Sequence, residues 1–247
     1  MWKGKKVSVV FSTYNEKETI RDCIDRFFKT GFVDEVVAVD NNAISGTKQE
    51  ILKTKAKYVH EPKQGIGFGY QRSLREATGD IIITTEVDGT YAPEDVIKLL
   101  AYSDDFEAVF GTRTTSIMIG KGANMGFAMK WANWFYAKII EVLFGTANLT
   151  DVGCIYRLTS RKALDKLKDL KMDGRNSYNV DFMLHLIRNR IRFIEAPVNF
   201  LKRTGQSHGA SNYWKATKVA LGMMKFIIKH RLNFIKTGKK AKRIKPL

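Results

Sequence analysis

The stretch "KVSVVFSTYNEKETIRDCIDRFFKTGFVDEVVAVDNN" (residues 6–42) decides the fold. It opens on a β-branched run, "KVSVVFS", continues through "EKETIRDCIDRFFKTG", whose apolar residues recur at helical spacing up to a glycine stop, and ends on a second buried-type run, "VDEVVAVDNN". Strand, helix and strand in that order read as a βαβ unit, which places the two strands side by side and parallel. The pattern repeats downstream. "KQGIGFGYQRSLREATG" offers a glycine turn and a helix ending at Gly79, and "DIIITTEVD" a further strand. "APEDVIKLLAY" begins with Pro93 and two acids as helix N-termini do, and "EAVFGTR" is strand again. The expectation is an α/β protein with a mostly parallel, doubly wound sheet. Ligands on such sheets lie beyond the carboxyl ends of the strands, where Asp40-Asn41-Asn42 and Glu86-Val87-Asp88 fall.

The second half differs. A long aromatic-rich helical segment (124–145) is followed by a short "TDVGCIYRLTSR" element, a helix around 180–189, the strand "RFIEAPVNF" and a lysine-rich tail. Without repeats or low-complexity linkers, the chain reads as one domain over 1–210, in two halves (1–112 and 113–210). A basic amphipathic tail over 211–247 completes it.

At 247 residues and 44% hydrophobic content the chain can bury a substantial core. Its formal charge of +17 calls for an anionic partner. The excess is local: no Asp or Glu follows Glu195, whereas 13 of the 42 Lys and Arg lie after it. Cys23 and Cys154 are far apart and lack metal-ligand spacing, so reduced thiols and a cytoplasmic setting are expected. The N-terminus has no signal-peptide pattern, and no run reaches the ~18 apolar residues of a membrane span.

In an extended segment, residues i and i+2 share a face, so Glu86 and Asp88 can approach one cation. Two hard oxygen ligands that leave room for water and phosphate suit Mg²⁺ or Mn²⁺. An acid-x-acid pair at a strand end also reads as a solvated turn. "YNE" (14–16) equally fits a helix N-terminus with acidic first-turn residues. The glycines of "QGIGFGY", at 65, 67 and 69, lack dinucleotide-fingerprint spacing and do not follow the first strand; a closely packed turn fits them better.

Taken together, "FSTYNE", "VDNNAISGT", "QGIGFGYQRSLREATGDIII" with "TTEVDGTYAPED", "DVGCIYR" and "KRTGQS" resemble, in order and spacing, the family 2 glycosyltransferases, closest to the dolichol-phosphate mannose synthase and polyprenyl-phosphate branch. The resemblance runs from about Lys6 to about Lys229. It implies a GT-A fold, a nucleotide-diphosphosugar donor, a divalent metal (Mg²⁺ or Mn²⁺) and inverting sugar transfer. It would put Tyr14, Asn15 and Glu16 at the nucleoside, Asp40 and Asn41 at base or ribose, and Gly65 beneath them. Glu86, Asp88 and Thr90 would lie at the metal, and Arg203 and Ser207 on the donor diphosphate. Glu86 stands in place of the first Asp of the family's DxD, Asn41 in place of a common second Asp, and Thr90 in place of Gln. Asp151 would lie near the active site, where it acts as general base if the acceptor is a hydroxyl; a phosphate acceptor needs no base. Asp88, Asp151 and Arg203 are the catalytic candidates.

Arg113 and Lys121 precede a helix rich in Trp131, Trp134, Phe135 and Tyr136, and are candidates for an acceptor phosphate. The aromatics suit a membrane headgroup region or a core. On a helical wheel the tail sets Lys215, Lys218, Lys225, Lys229 and Lys236 beside Trp214, Leu221, Met224, Ile228, Leu232 and Ile235, a pattern for lying on an anionic bilayer. The expected partners are therefore a nucleotide-diphosphosugar, a lipid phosphate and an anionic membrane surface on its cytoplasmic face, reached peripherally or through a membrane partner subunit. Transfer to a glycan or protein hydroxyl is the alternative. Nucleic acid would explain the charge but not Glu86 and Asp88, and is not expected as a partner.

Overall fold

The βαβ reading of residues 6–42 holds: β1 (Val7–Thr13), α1 (Lys17–Lys29) and β2 (Glu35–Asp40) follow in order, and β1 and β2 pair in parallel with Phe11 opposite Ala38. α1 buries Ile20, Cys23, Ile24 and Phe27, one stripe at three- and four-residue spacing. The computed structural model describes residues 1–167, 177–204 and 213–236, without the side chains of 213–219 and 236.

Beyond β2 come α2 (Thr47–Leu52), β3 (Lys57–His60), α3 (Ile66–Glu76) and β4 (Ile81–Thr84). After a 3₁₀ turn at Pro93–Asp95 follow α4 (Val96–Leu100), β5 (Ala108–Thr112), a second 3₁₀ turn at Ser116–Met118 and α5 (Phe127–Phe144). β6 (Arg157–Ser160), α6 (Arg161–Asp165), α7 (Tyr178–Arg188), β7 (Phe193–Pro197) and α8 (Tyr213–Lys236) complete the order.

One seven-stranded sheet runs β3-β2-β1-β4-β6-β5-β7. All neighbours pair in parallel except at β6, which is antiparallel to both β4 and β5. Every residue of β4 and β5 is buried, as expected of central strands covered on both faces. α3 packs on β1 and β2, and α4 on β5, β6 and β7. The chain leaves β1 toward β2 on one side and returns to β4 on the other, so a topological switch point lies between β1 and β4. β5 belongs by sequence to the half expected to bind the donor (1–112), yet it pairs with β6 and β7 of the half expected to face the acceptor (113–210).

Three elements depart from the sequence expectation. β3 and α2 had not been expected, and β4 ends at Thr84 rather than continuing to Asp88. Glu86 and Asp88 thus stand in the loop beyond the strand, and the strand-face rule is not what brings them together.

α8 is helical, as the wheel requires, but it docks through a third face. Ile227 and Phe234 are buried, with Phe234 6.1 Å from Phe144 of α5, and the Tyr136 hydroxyl donates to the Ala220 carbonyl. Leu221, Ile228, Leu232 and Ile235 are left exposed, as are Lys225 and Lys229. On α5 the same holds for Phe127, Trp131, Trp134 and Phe135. Among the described residues, no helix is long and apolar enough to cross a membrane.

Candidate active site

Three loops meet at the carboxyl ends of β1, β2 and β4. The loop after β1 is folded by Glu16, whose Oε2 accepts from Thr13 Oγ1 (2.9 Å), Tyr14 N (2.7 Å) and Asn15 N (2.9 Å). Tyr14 itself stays exposed. After β2, Asp40 is buried; its Oδ1 accepts from Ala43 N and its Oδ2 from the Tyr58 hydroxyl of β3. Asn41 has an anchoring job: its Nδ2 donates to the carbonyls of Glu61 and Lys63, and its Oδ1 accepts from Gly65 N. An aspartate there would face two carbonyl oxygens with no proton to offer, whereas the amide satisfies all three contacts. Gly65 (φ 140°) then starts α3, and a Cβ on Gly69 would come within 2.0 Å of Ser12 Oγ, so these glycines let α3 lie close against β1.

After β4, Asp88 is almost wholly buried. Its Oδ1 accepts from Thr90 N (2.9 Å) and Thr90 Oγ1 (2.5 Å), and its backbone carbonyl accepts from Thr204 N. Gly89 between them turns at φ 84°, a conformation that favours glycine. The segment after β7 runs alongside, with Leu201 N donating to the Thr90 carbonyl, and brings in Arg203. Its Nε lies 3.2 Å from Asp88 Oδ2 and its Nη2 3.5 Å from Glu16 Oε1, so one guanidinium spans the switch point between the ends of β1 and β4. Burial pushes the Glu86 carboxyl up to about 7; Asp88 adds to the rise, while Arg203 and Arg113 oppose it. Glu16, Glu86 and Asp88 thus gather around the single guanidinium of Arg203. Carboxylate oxygens such as those of Glu86 and Asp88 are the hard ligands a divalent ion prefers. Thr90 serves first to orient Asp88.

On the far side, Arg113 and Asp151 make a bidentate pair: Nε to Oδ2 at 2.8 Å and Nη2 to Oδ1 at 2.9 Å. Asp151 is fully buried and also accepts from the backbone N–H groups of Arg113, Gly153 and Cys154. Burial alone would raise its pKa, but Arg113 and these donors hold it below the usual carboxylate range. An enclosed, ion-paired carboxylate with five donors is not placed to take a proton from an acceptor; it positions Arg113. Lys121 is exposed on the loop after β5. Ser207, like His208, lies outside the described residues.

A comparison of the sequence with family models matches "Glycosyl transferase family 2" over residues 8–168. This chain belongs to that family. It is similar to an undecaprenyl-phosphate mannosyltransferase of Micrococcus luteus, at 26% identity over 211 residues, covering 80% of this chain and 84% of that protein. It is also similar to a dolichol-phosphate mannosyltransferase of Pyrococcus furiosus, at 29% identity over 175 residues; the match covers 67% of this chain and only 43% of that longer protein. Among solved structures, glucosyl-3-phosphoglycerate synthase from Mycobacterium tuberculosis, in complex with Mn²⁺, UDP-glucose and phosphoglyceric acid, superposes with a TM-score of 0.68 at 16% identity. That match covers 92% of this chain and 80% of that one. The fold of this glycosyltransferase is accordingly GT-A.

Two residues that support its site escape sequence reading. Glu195 on β7 accepts from Thr150 N, Thr150 Oγ1 and Asp151 N, fixing the loop that carries Asp151; burial raises its carboxyl to about 7 against these hydrogen bonds. Asp95 accepts from Asn199 N and Nδ2, tying down the approach to Arg203. Each partner lies more than forty residues away, so no local spacing signals either contact.

Proposed function

We propose that this glycosyltransferase moves a sugar, with inversion, from a nucleotide-diphosphosugar to a polyprenyl or dolichyl phosphate at the cytoplasmic face of a membrane. The observation that carries the choice of acceptor is the enclosure of Asp151. A hydroxyl acceptor needs a base at the site, whereas a phosphate is already anionic and needs only to be held. Arg113, locked by Asp151, and Lys121 on the adjoining loop are the cations for that task. The names of the M. luteus and P. furiosus relatives agree with it.

On the donor side, Tyr14, Asn15, Glu16 and Asp40 receive the nucleoside, with Asn41 and Gly65 shaping the floor. Glu86 and Asp88 hold Mg²⁺ or Mn²⁺, and the metal when bound supplies charge stabilisation for the departing diphosphate. Arg203, with Ser207, adds guanidinium and hydroxyl donors to those oxygens. The exposed apolar residues of α5 and α8, beside Lys225 and Lys229, rest on an anionic bilayer, which brings the lipid phosphate to Lys121.

The test is a donor screen with extracted polyprenyl phosphate in anionic vesicles. Transfer that requires Mg²⁺ or Mn²⁺ and disappears in Asp88→Asn supports the reading. Transfer to soluble glycan hydroxyls, with none to lipid phosphate, overturns it.

A further inference from the structure

The transfer chemistry leaves one cluster of titratable side chains unused. Asp181 and His185 stand one turn apart on α7, on one face of the helix, and His230 reaches them from α8. His185 Nδ1 lies 3.1 Å and His230 Nε2 3.2 Å from the same oxygen, Asp181 Oδ1, and the ligand-type atoms of all three fall within 4.8 Å of one another. A tetrahedral ion with bonds of about 2.0–2.1 Å sets its ligands roughly 3.3 Å apart, close to the two His–Asp separations.

Neither imidazole aims a well-directed hydrogen bond at that oxygen. Asp181 Oδ1 is buried with no hydrogen-bond partner among the described residues, and a buried polar atom in that condition calls for a missing partner. We propose that Asp181, His185 and His230 form a binding site for a transition ion of the Zn²⁺ class, which clamps α8 onto α7.

Two nitrogens and one carboxylate select such an ion over Mg²⁺, and three protein ligands leave a fourth position for water. His185 Nδ1 is also 2.8 Å from the Asp181 carbonyl. In the metal-free protein Nδ1–H donates to that carbonyl; on loading, the proton resides on Nε2 and Nδ1 turns to the metal, with no net proton change. Arg188 and Lys229 are the nearby cations, and they reduce the affinity of the site for any positive ion. One turn before Asp181, Tyr178 stacks on Tyr70 at 4.6 Å, and Tyr70 donates to the Thr85 carbonyl beside Glu86. A loaded clamp therefore steadies both the exposed helix and one wall of the donor site.

Thermal unfolding with ZnCl₂ or MgCl₂ and the visible spectrum with Co²⁺ test this on the intact chain. At zinc about a hundred-fold above its dissociation constant, linkage predicts a Tm rise of roughly 5–10 °C. The rise should persist in Asp88→Asn, whose donor-side metal site is impaired, and vanish in His230→Ala and in Asp181→Asn. Co²⁺ should give the intense bands of a tetrahedral site in the unmutated protein, a readout that holds even if a variant fails to fold. A zinc response that survives His230→Ala, or is lost in Asp88→Asn, or the absence of tetrahedral Co²⁺ bands, overturns the proposal. So does a Tm that rises on acidification alone and ignores metal, the signature of a proton-held clasp.

Discussion

Removing either partner of the Arg113–Asp151 pair should destabilise the protein, but by unequal amounts. Arg113→Ala takes two donors from Asp151 and leaves it three, the backbone N–H groups of Arg113, Gly153 and Cys154. Because the aspartate is fully buried, stranding its charge costs about 3–5 kcal/mol, with the lower end favoured by those remaining donors. Asp151→Ala strands a guanidinium that is 12% exposed and also leaves the three N–H groups without an acceptor. At about 1 kcal/mol or more for each unsatisfied group, it should exceed Arg113→Ala by about 3 kcal/mol. Against a total stability of about 5–15 kcal/mol, that brings the fold near its limit. Urea midpoints at matched m-values measure both variants. Equal destabilisation would refute the enclosure reasoning. So would an Asp151→Asn variant that keeps full stability yet loses all turnover, because Asp151 would then be acting as a base.

Three further outcomes are expected. Asn41→Asp sets a carboxylate against the Glu61 and Lys63 carbonyls; it should cost about 1–3 kcal/mol in urea unfolding and weaken donor binding by calorimetry, and an unchanged midpoint would contradict the anchoring role. Arg203→Gln should tighten Mn²⁺ binding in the absence of donor, read by the free-ion EPR signal, yet weaken binding of the nucleoside diphosphate, because Arg203 now shares the carboxylates an ion needs. For Glu195 the folded pKa of about 7 lies above the ordinary glutamate value, so the folded state holds the extra proton. Its contribution is fully present below about pH 4.5 and is lost as pH rises through about 7, by about 3 kcal/mol at most. Glu195→Gln should flatten that slope between pH 5 and 8.

The parallel half of the sheet was legible because β1, β2, β4 and β5 carry unbroken apolar runs. β3, "KYVH", buries only Val59, so the edge strand shows no such run, and β6, "RLTS", hides a buried Arg157 inside a polar string. Arg157 donates to the Asn179 and Val152 carbonyls, partners that only the folded chain supplies. Candidate site residues such as Glu16, Asp40 and Asp88 could be picked out in the sequence because they end or follow strands. What they do to one another was not legible: Asn41 as a loop anchor, Asp151 as the holder of Arg113 and Arg203 as a bridge all depend on contacts across the sheet. Of the tail's apolar sector, Leu221, Ile228, Leu232 and Ile235 are exposed, while the wheel left out the buried Ile227 and Phe234, which look no different in sequence from Ile228 and Ile235.

The place of β6 between β4 and β5 also bears on how the protein is made. When Thr112 leaves the ribosome, β5 has no partner, and the apolar edge of β4, "IIIT", stands open. Its neighbour is complete only at Ser160, 48 residues later, or roughly 2–10 s at synthesis rates of about 5–20 residues per second. For that interval the nascent chain presents an unpaired hydrophobic strand, the kind of edge that chaperones hold and that aggregation exploits. The topology that joins both halves of the chain in one sheet thus sets a vulnerable window during translation, and synonymous codons that slow elongation between residues 112 and 160 should lower the soluble yield.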